Sequence, residues 1–257
     1  MRTSLHFATA LVAALSLFVG IAHAQVVLPP AASAAPTVDE IIARNIQSKG
    51  GLELIKATTT VRMTGTLMSQ DQSGRELTGP LVVMAKRPNM MRRETTRGAE
   101  RIVNAFDGKS LWMVMGTMPA QEAPASQAAY ARQDAEFDSV FVDYREKGTV
   151  IRLVGKATVQ GKDAWNLEVT KKGGPAQNYF LDAATGLETK VSVTVDAGGK
   201  TSTIVTELSN YRDVDGRLVP FMTRQLVDGS VKATITMDRV EFNVPIDDAL
   251  FRMPASR

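Results

Sequence analysis

The sequence predicts a mainly β fold with helices (the α+β class), in which helices cover the concave side of a strongly curved antiparallel sheet or open barrel. Most of the chain after residue 57 consists of runs of alternating apolar and polar residues, which turn signals separate at close intervals. Two stretches with apolar residues at helical spacing interrupt this pattern. Because so long a sheet must bury one face, we expect the helices to cover it.

The first 24 residues have the pattern of a secretory signal peptide. Arg2 gives a basic start, residues 7–21 are almost all apolar, and Ala22, His23 and Ala24 form a small-x-small cleavage site. The apolar run is shorter than the roughly 20 residues of a membrane-spanning helix. We therefore expect cleavage after Ala24, a disordered, Pro-rich leader over 25–36, and a single domain over 37–257.

The first structural element is predicted to be an amphipathic helix. Thr37 can cap its start and Glu40 can complete a capping box. Gly50 and Gly51 are expected to stop it. One apolar stripe runs along the helix and consists of Val38, Ile41, Ile42 and Ile46.

The strands are predicted from alternation with a period of two. Between 187 and 196, Val191, Val193 and Val195 fall on one face, and the polar residues between them fall on the other. Similar runs follow one another down the chain. The turn signals between them predict an antiparallel meander of about ten strands. These signals are Gln72-Ser73-Gly74, Asp107-Gly108, Gly161-Lys162-Asp163, Gly173-Gly174-Pro175, Thr185-Gly186, Gly198-Gly199, Asp215-Gly216 and Asp228-Gly229.

A second helical piece is predicted between residues 119 and 148. This segment is rich in Ala, Gln and charged residues, unlike the strands on either side. Its large apolar residues are spaced so that they share one face of a helix. They are Tyr130, Phe137, Val140, Phe141 and Tyr144.

Composition excludes several classes of function. The formal net charge of +3 argues against nucleic-acid binding. The two histidines, His6 and His23, lie in the predicted signal peptide, and the chain has no Cys. A His- or Cys-based catalytic site and a zinc site are therefore excluded from the mature chain. We expect no enzymatic activity, no cofactor and no metal, and no transmembrane segment after cleavage.

A basic run lies between residues 86 and 101. It reads KRPNMMRRETTRGAER and contains six basic and two acidic residues. It could meet acidic lipid head groups or an acidic partner. The interpretation we favour is a solvated strand face or a charged edge that blocks aggregation, because most charge runs are only solvated.

In order along the chain, several segments resemble the LolA/LolB-like superfamily, in particular outer-membrane lipoprotein-sorting proteins. After the opening helix these segments are VRMTGTL, FDGKSLWMV, YFLDAATGLETK, NYRDVDGRLVPF and FNVPIDDALFRMP. The resemblance implies a half-open β-barrel with a helical lid over an apolar cavity. It also implies a protein that carries acylated lipoproteins or other lipids in the periplasm, or senses envelope damage.

Methionine is concentrated in the first strands, where eight residues lie between positions 63 and 118. Methionine is flexible and polarizable, so it suits either a cavity wall for acyl chains or the filling of core gaps. Alternation places Leu111, Met113 and Met115 on one face and Trp112 and Val114 on the other. With the resemblance added, we predict a hydrophobic ligand cavity lined by Met63, Leu67, Val83, Met91, Leu111, Met113 and Met115.

The expected function is that of a periplasmic carrier or chaperone. It would bind an acyl chain, a lipid or an acylated lipoprotein, and pass it to an envelope protein acceptor. Burial of apolar surface would drive binding. The alternative is an envelope lipid or stress sensor that acts through protein partners.

Overall fold

The computed structural model describes residues 35–71, 73–124, 132, 135–197 and 199–254. From Pro36 onward the chain forms one compact unit, built around a single antiparallel sheet of 13 strands. The predicted signal peptide, its cleavage site and most of the predicted leader lie outside the described residues. No helix within the described ranges has the length and apolar character needed to cross a membrane.

Among the elements that the structure describes, two α-helices precede the sheet and a short 3-10 helix follows it. They are α1 (Val38–Ser48), α2 (Leu52–Ala57) and the 3-10 helix Asp248–Leu250. The strands are β1 (Thr60–Gln70), β2 (Glu76–Lys86), β3 (Met90–Arg97), β4 (Glu100–Phe106), β5 (Leu111–Met115), β6 (Gln121–Glu122), β7 (Val150–Val159), β8 (Lys162–Thr170), β9 (Ala176–Asp182), β10 (Glu188–Ala197), β11 (Lys200–Val214), β12 (Arg217–Val227) and β13 (Ser230–Phe242).

Two meanders join in the middle of the sheet. The strand order is β6-β5-β4-β3-β2-β1-β13-β12-β11-β10-β9-β8-β7. The chain therefore runs from the centre to one edge, crosses to the other edge, and returns until β13 pairs with β1. This pairing brings the two ends of the domain together.

Glycines and bulges allow the sheet to curve strongly. A Cβ on Gly79 would lie 1.7 Å from the carbonyl oxygen of Thr96, and one on Gly65 would lie 2.1 Å from that of Thr236. Only glycine fits such close approaches. The register between β1 and β13 shifts next to Gly65, and a bulge of this kind bends the strand.

The inner face of the sheet is the one that carries Met63 and Leu67. Residues directly opposite each other on neighbouring antiparallel strands share a face, so the pairings trace it across the sheet. The traced residues at the β8 end are Trp165, Leu167 and Val169. They form a core cluster with Ile41 and Ile42 of α1 and with Val140, Phe141 and Leu181. Helix α1 therefore covers one half of the inner face.

The outer face of β2 to β5 is covered by the C-terminal segment, residues 243–254. Phe251 is 0% exposed and packs with Met84 and Ile246. Trp112 Nε1 donates a hydrogen bond to the carbonyl oxygen of Phe251 at 2.7 Å. Arg92 donates to the carbonyl oxygen of Leu250 at 2.9 Å, and its guanidinium lies over the Trp112 ring. The apolar outer side of β5 is thus buried by chain from the far end of the sequence.

The prediction for the opening helix is confirmed. Thr37 and Glu40 form a complete capping box, and Ile41 and Ile42 are buried. The helix is followed by Gly50 and Gly51, which both have positive φ. The fold class, a strongly curved antiparallel sheet with a helical lid, is also confirmed.

Two predictions of local structure were wrong. The described residues form 13 strands and not about ten. The basic run contains two turns, at 87–89 and 98–99, and the strand between them, β3, is mostly polar on both faces, so no apolar alternation marks it. In the segment predicted to be helical, 119–148, residues 121–122 form β6 and residues 135–148 form turns and bends instead of a helix. Its Val140 and Phe141 are nevertheless buried against α1, whereas Tyr130 lies outside the described residues.

Candidate ligand-binding site

An apolar cavity lies between the inner face of the sheet and the segments that cover it; we call it the lidded cavity. Strands β1, β12 and β13 form its floor, and α2 with residues 137–139 form its lid. Its volume is about 230 Å³. The apolar residues of its wall are Ile55, Val61, Met63, Phe137, Leu218, Val219, Pro220, Val240 and Phe242.

The charged groups of the lidded cavity are held by other protein groups. Lys49 forms an ion pair with Glu188. Arg217 lies over the ring of Phe242, 4.4 Å from its centroid, and donates to Thr58 Oγ1 at 2.9 Å. Because these groups already have protein partners, the contacts left for a ligand are mainly apolar.

Arg87 fastens the lid to the sheet. It follows β2 directly, and its guanidinium donates to the carbonyl oxygens of Ile55 at 2.9 Å and Thr58 at 2.6 Å. It also forms a two-pronged ion pair with Asp138. One side chain therefore joins α2, the segment after it and residues 137–139, which are the parts that cover the cavity.

A second depression lies further along the inner face; we call it the open groove. It has a volume of about 260 Å³ and lies over β3, β4 and β5. Burial lowers the pKa of the Arg93 guanidinium, and the neighbouring charge of Arg97 lowers it further. The residues of the groove are Leu67, Arg93, Thr95, Arg97, Ile102, Asn104, Met113, Val114 and Met115.

Comparison with known proteins identifies the architecture. A LolA superfamily protein from Nitrosomonas europaea superposes with a TM-score of 0.58 at 13% identity, over 85% of this chain and 98% of that one. An outer membrane lipoprotein-sorting protein domain from Vibrio parahaemolyticus gives 0.56 at 12% identity, over 83% and 97%. A DUF1329 family protein from Desulfovibrio piger gives 0.57 at 15% identity, over 85% and 98%. This chain has the LolA-like fold. No family model and no curated protein sequence matches it.

In this LolA-like fold, the seven residues predicted to line the cavity share the inner face of β1 to β5. Met63, Val83 and Met113 lie in one row of paired residues across the sheet, which also contains Arg93 and Asn104. Alternation alone does not say which face of β5 points inward. The pairings place Leu111, Met113 and Met115 on the inner face.

The seven residues nevertheless fall into different surroundings. Met63 lines the lidded cavity, and Leu67, Met113 and Met115 line the open groove, where Met115 is 43% exposed. Met91 and Leu111 instead pack against Phe106 and Ala135. Val83 lies in the row between Met63 and Arg93.

Sequence reasoning missed most of the lidded cavity. Its wall includes Leu218 and Pro220 of β12 and Val240 and Phe242 of β13, all from the C-terminal part of the LolA-like fold. The prediction from sequence rested on methionine, which is concentrated in β1 to β5. Phe137 was predicted to be on an apolar face, and it does contribute to the lid.

Proposed function

We propose that this protein is a periplasmic carrier or chaperone that binds an acyl chain of a lipid or lipoprotein, with a role in outer-membrane lipoprotein sorting. The observation that carries the proposal is the lidded cavity, whose wall is apolar on the sheet side and on the lid side. The proposal is also supported by the likeness in fold to proteins described as LolA superfamily and lipoprotein-sorting proteins.

The driving force would be the removal of acyl methylenes from water. Each buried methylene contributes about 0.8 kcal/mol, so a chain of ordinary length gains enough to bind after entropic costs. Flexible Met63 suits a wall that meets chains of different shape. No ion pair between ligand and protein is needed for this part of the binding.

The cavity is too small to enclose a whole acyl chain. Ligand pockets generally begin at about 300 Å³, and the lidded cavity is smaller, at about 230 Å³. A whole acyl chain therefore needs either displacement of α2 and residues 137–139 or continuation along the inner face. Arg87 is the side chain that such a movement would have to release.

Native mass spectrometry of the protein purified from its own envelope tests the proposal. A bound lipid mass is the expected result, and a co-purifying acylated protein would make the cargo a lipoprotein. An empty protein with a stable protein partner would favour the alternative, an envelope sensor.

A cavity variant gives the first prediction. Met63→Glu places a charge where the acyl chain would lie, and Met63→Trp fills the same space without a charge. Each variant should weaken binding of a fluorescent acyl probe at least about tenfold. Met68→Glu is the matched control, because Met68 lies on the opposite face of the same strand. Normal probe affinity in folded Met63→Trp protein would remove the lidded cavity from the proposal.

A further inference from the structure

Two arginines of the open groove lack a counter-charge. Within the described part of the chain, the guanidinium groups of Arg93 and Arg97 make no ion pair and no hydrogen bond, and Nε of Arg97 is buried without a partner. Glu100 is the backbone partner of Arg97 in the neighbouring strand, yet its carboxylate does not pair with it. Half-buried cations normally have such partners.

The other arginines of the same hairpin show the contrast. Arg92 and Arg101 point to the outer face, and both are bound to Glu94, at 2.9 Å and 2.7 Å. Within β3 and β4, strand alternation thus separates the outer arginines, which share one glutamate, from the inner arginines, which have no acidic partner among the described residues. The interpretation that the run is merely a solvated strand face fails for Arg93 and Arg97, which are only partly exposed.

The two unpaired guanidinium groups of Arg93 and Arg97 lie in surroundings that disfavour their charge when the groove is empty. Leu67, Ile102 and Met113 form the apolar wall beside the two guanidinium groups. Burial and mutual repulsion both lower the pKa of Arg93. A guanidinium stays protonated at neutral pH, so the charges persist and an anion in the groove would be stabilised by both. The side-chain amide of Asn104 adds a neutral donor in the same groove.

We propose that Arg93 and Arg97 bind the anionic head group, a carboxylate or phosphate, of an amphiphile whose acyl chain lies on the apolar wall of the inner face. The inference rests on the proposed carrier function and adds the chemical class of the ligand. Charged donors and apolar surface meet in one groove, which is the arrangement that an anionic amphiphile matches and a free anion does not. A planar guanidinium group can donate two parallel hydrogen bonds to two oxygens of one carboxylate or phosphate.

Three probes with the same chain length test the proposal: dodecanol, dodecanoate and dodecyl phosphate. We expect the wild-type protein to bind the two anionic probes at least about tenfold more tightly than dodecanol, as charge-assisted hydrogen bonds would provide. In Arg93→Gln/Arg97→Gln this preference should disappear while dodecanol affinity stays unchanged. The control Arg101→Gln/Arg239→Gln removes the same charge from exposed, ion-paired arginines and should keep the preference.

The outcomes separate the two proposals. Wild-type protein that binds all three probes equally, or an Arg93→Gln/Arg97→Gln variant that keeps the preference, overturns the head-group site and leaves the carrier function standing. Inorganic phosphate that binds as tightly as dodecyl phosphate makes this a free-anion site and overturns the amphiphile. Failure of every probe to bind overturns both proposals.

The Arg93→Gln/Arg97→Gln variant removes the repulsion between two charges, so its melting temperature should equal or exceed that of the wild type. Arg97→Gln alone gives a second test, in which the preference for the anionic probes should be reduced.

Discussion

At the scale of single residues, the position of a side chain on its strand decides its role more than its type does. The arginines of the basic run illustrate this. Arg87 fastens the lid, Arg92 is 8% exposed under the C-terminal segment, and Arg93 and Arg97 lie in the open groove. Four residues of one type in eleven positions thus have three different surroundings.

The residue-scale prediction concerns Arg87. Arg87→Ala removes two bonds to carbonyl oxygens and leaves the half-buried carboxylate of Asp138 without its partner, so the free energy of unfolding should fall by about 2–4 kcal/mol. Amide hydrogen exchange should rise in α2 and in residues 137–139, and an acyl probe should enter faster. Arg75→Ala, in an exposed ion pair with Asp71, is the control and should change neither quantity. Unchanged exchange in α2 would mean that other contacts hold the lid.

At the scale of elements, α1 is held on the sheet by the turn between β9 and β10. Asn45 is fully buried and donates to the carbonyl oxygen of Gly186 at 2.8 Å. Arg44 donates to the carbonyl oxygen of Ala183 at 2.6 Å, and Ser48 donates to that of Thr185. Three side chains near the C-terminal end of the helix therefore donate to one β-turn, which fixes the helix in position above the inner face.

The element-scale prediction compares two glycines with positive φ. Gly186→Ala should destabilise the protein more than Gly229→Ala, by about 1–3 kcal/mol beyond the shared backbone strain of about 1 kcal/mol. A Cβ on Gly186 would lie 2.8 Å from Cγ of Arg44 and 3.1 Å from the backbone N of Asn45, whereas one on Gly229 would meet nothing within 4 Å. Urea unfolding of both variants measures the difference. An equal loss of unfolding free energy in the two variants would show that α1 shifts to make room for the Cβ without destabilising the protein.

At the scale of the whole molecule, the sheet is covered on both faces by segments that are distant in sequence. Helices α1 and α2 cover the inner face from the N-terminal side, and the C-terminal segment covers the outer face of β2 to β5. Strand β5 is apolar on both faces: Trp112 lies outside, under the C-terminal segment, and Met113 lies inside, in the open groove. The inner side keeps the lidded cavity and the open groove, and on the outer side the side chain of Phe251 is fully buried.

The whole-molecule prediction separates stability from binding. Phe251→Ala leaves a hole in the outer cluster and should lower the free energy of unfolding by about 3–5 kcal/mol, because Phe251 is 0% exposed. Acyl-probe affinity should be unchanged wherever the variant is folded, since Phe251 lies on the opposite face from both depressions. The emission of Trp112 should shift to the red. Leu250→Ala, at a position 40% exposed, is the control, and a large loss of probe affinity in folded Phe251→Ala protein would couple the two faces.

The sequence by itself determined the features that depend on local pattern. The capping box of Thr37 and Glu40, the stop at Gly50, the turns such as Asp228-Gly229 and the alternation of β5 need only near neighbours in the chain. Hydrophobic periodicity reports which residues share a face, because each element has a fixed period. The fold class followed from these patterns, and alternation separated Leu111, Met113 and Met115 from Trp112 and Val114 without saying which face points inward.

Tertiary structure alone decided how those faces meet. Pairing of β1 with β13 places Met63 beside Val240, residues that no local pattern connects, and so creates the floor of the lidded cavity. Tertiary structure also brings Asp138 to Arg87, 51 positions away in the chain, whereas no carboxylate among the described residues forms an ion pair with Arg93. Alternation assigns a residue to a face and can pair near neighbours such as Arg92 and Glu94, but burial and long-range ion pairs arise from contacts between distant parts of the chain.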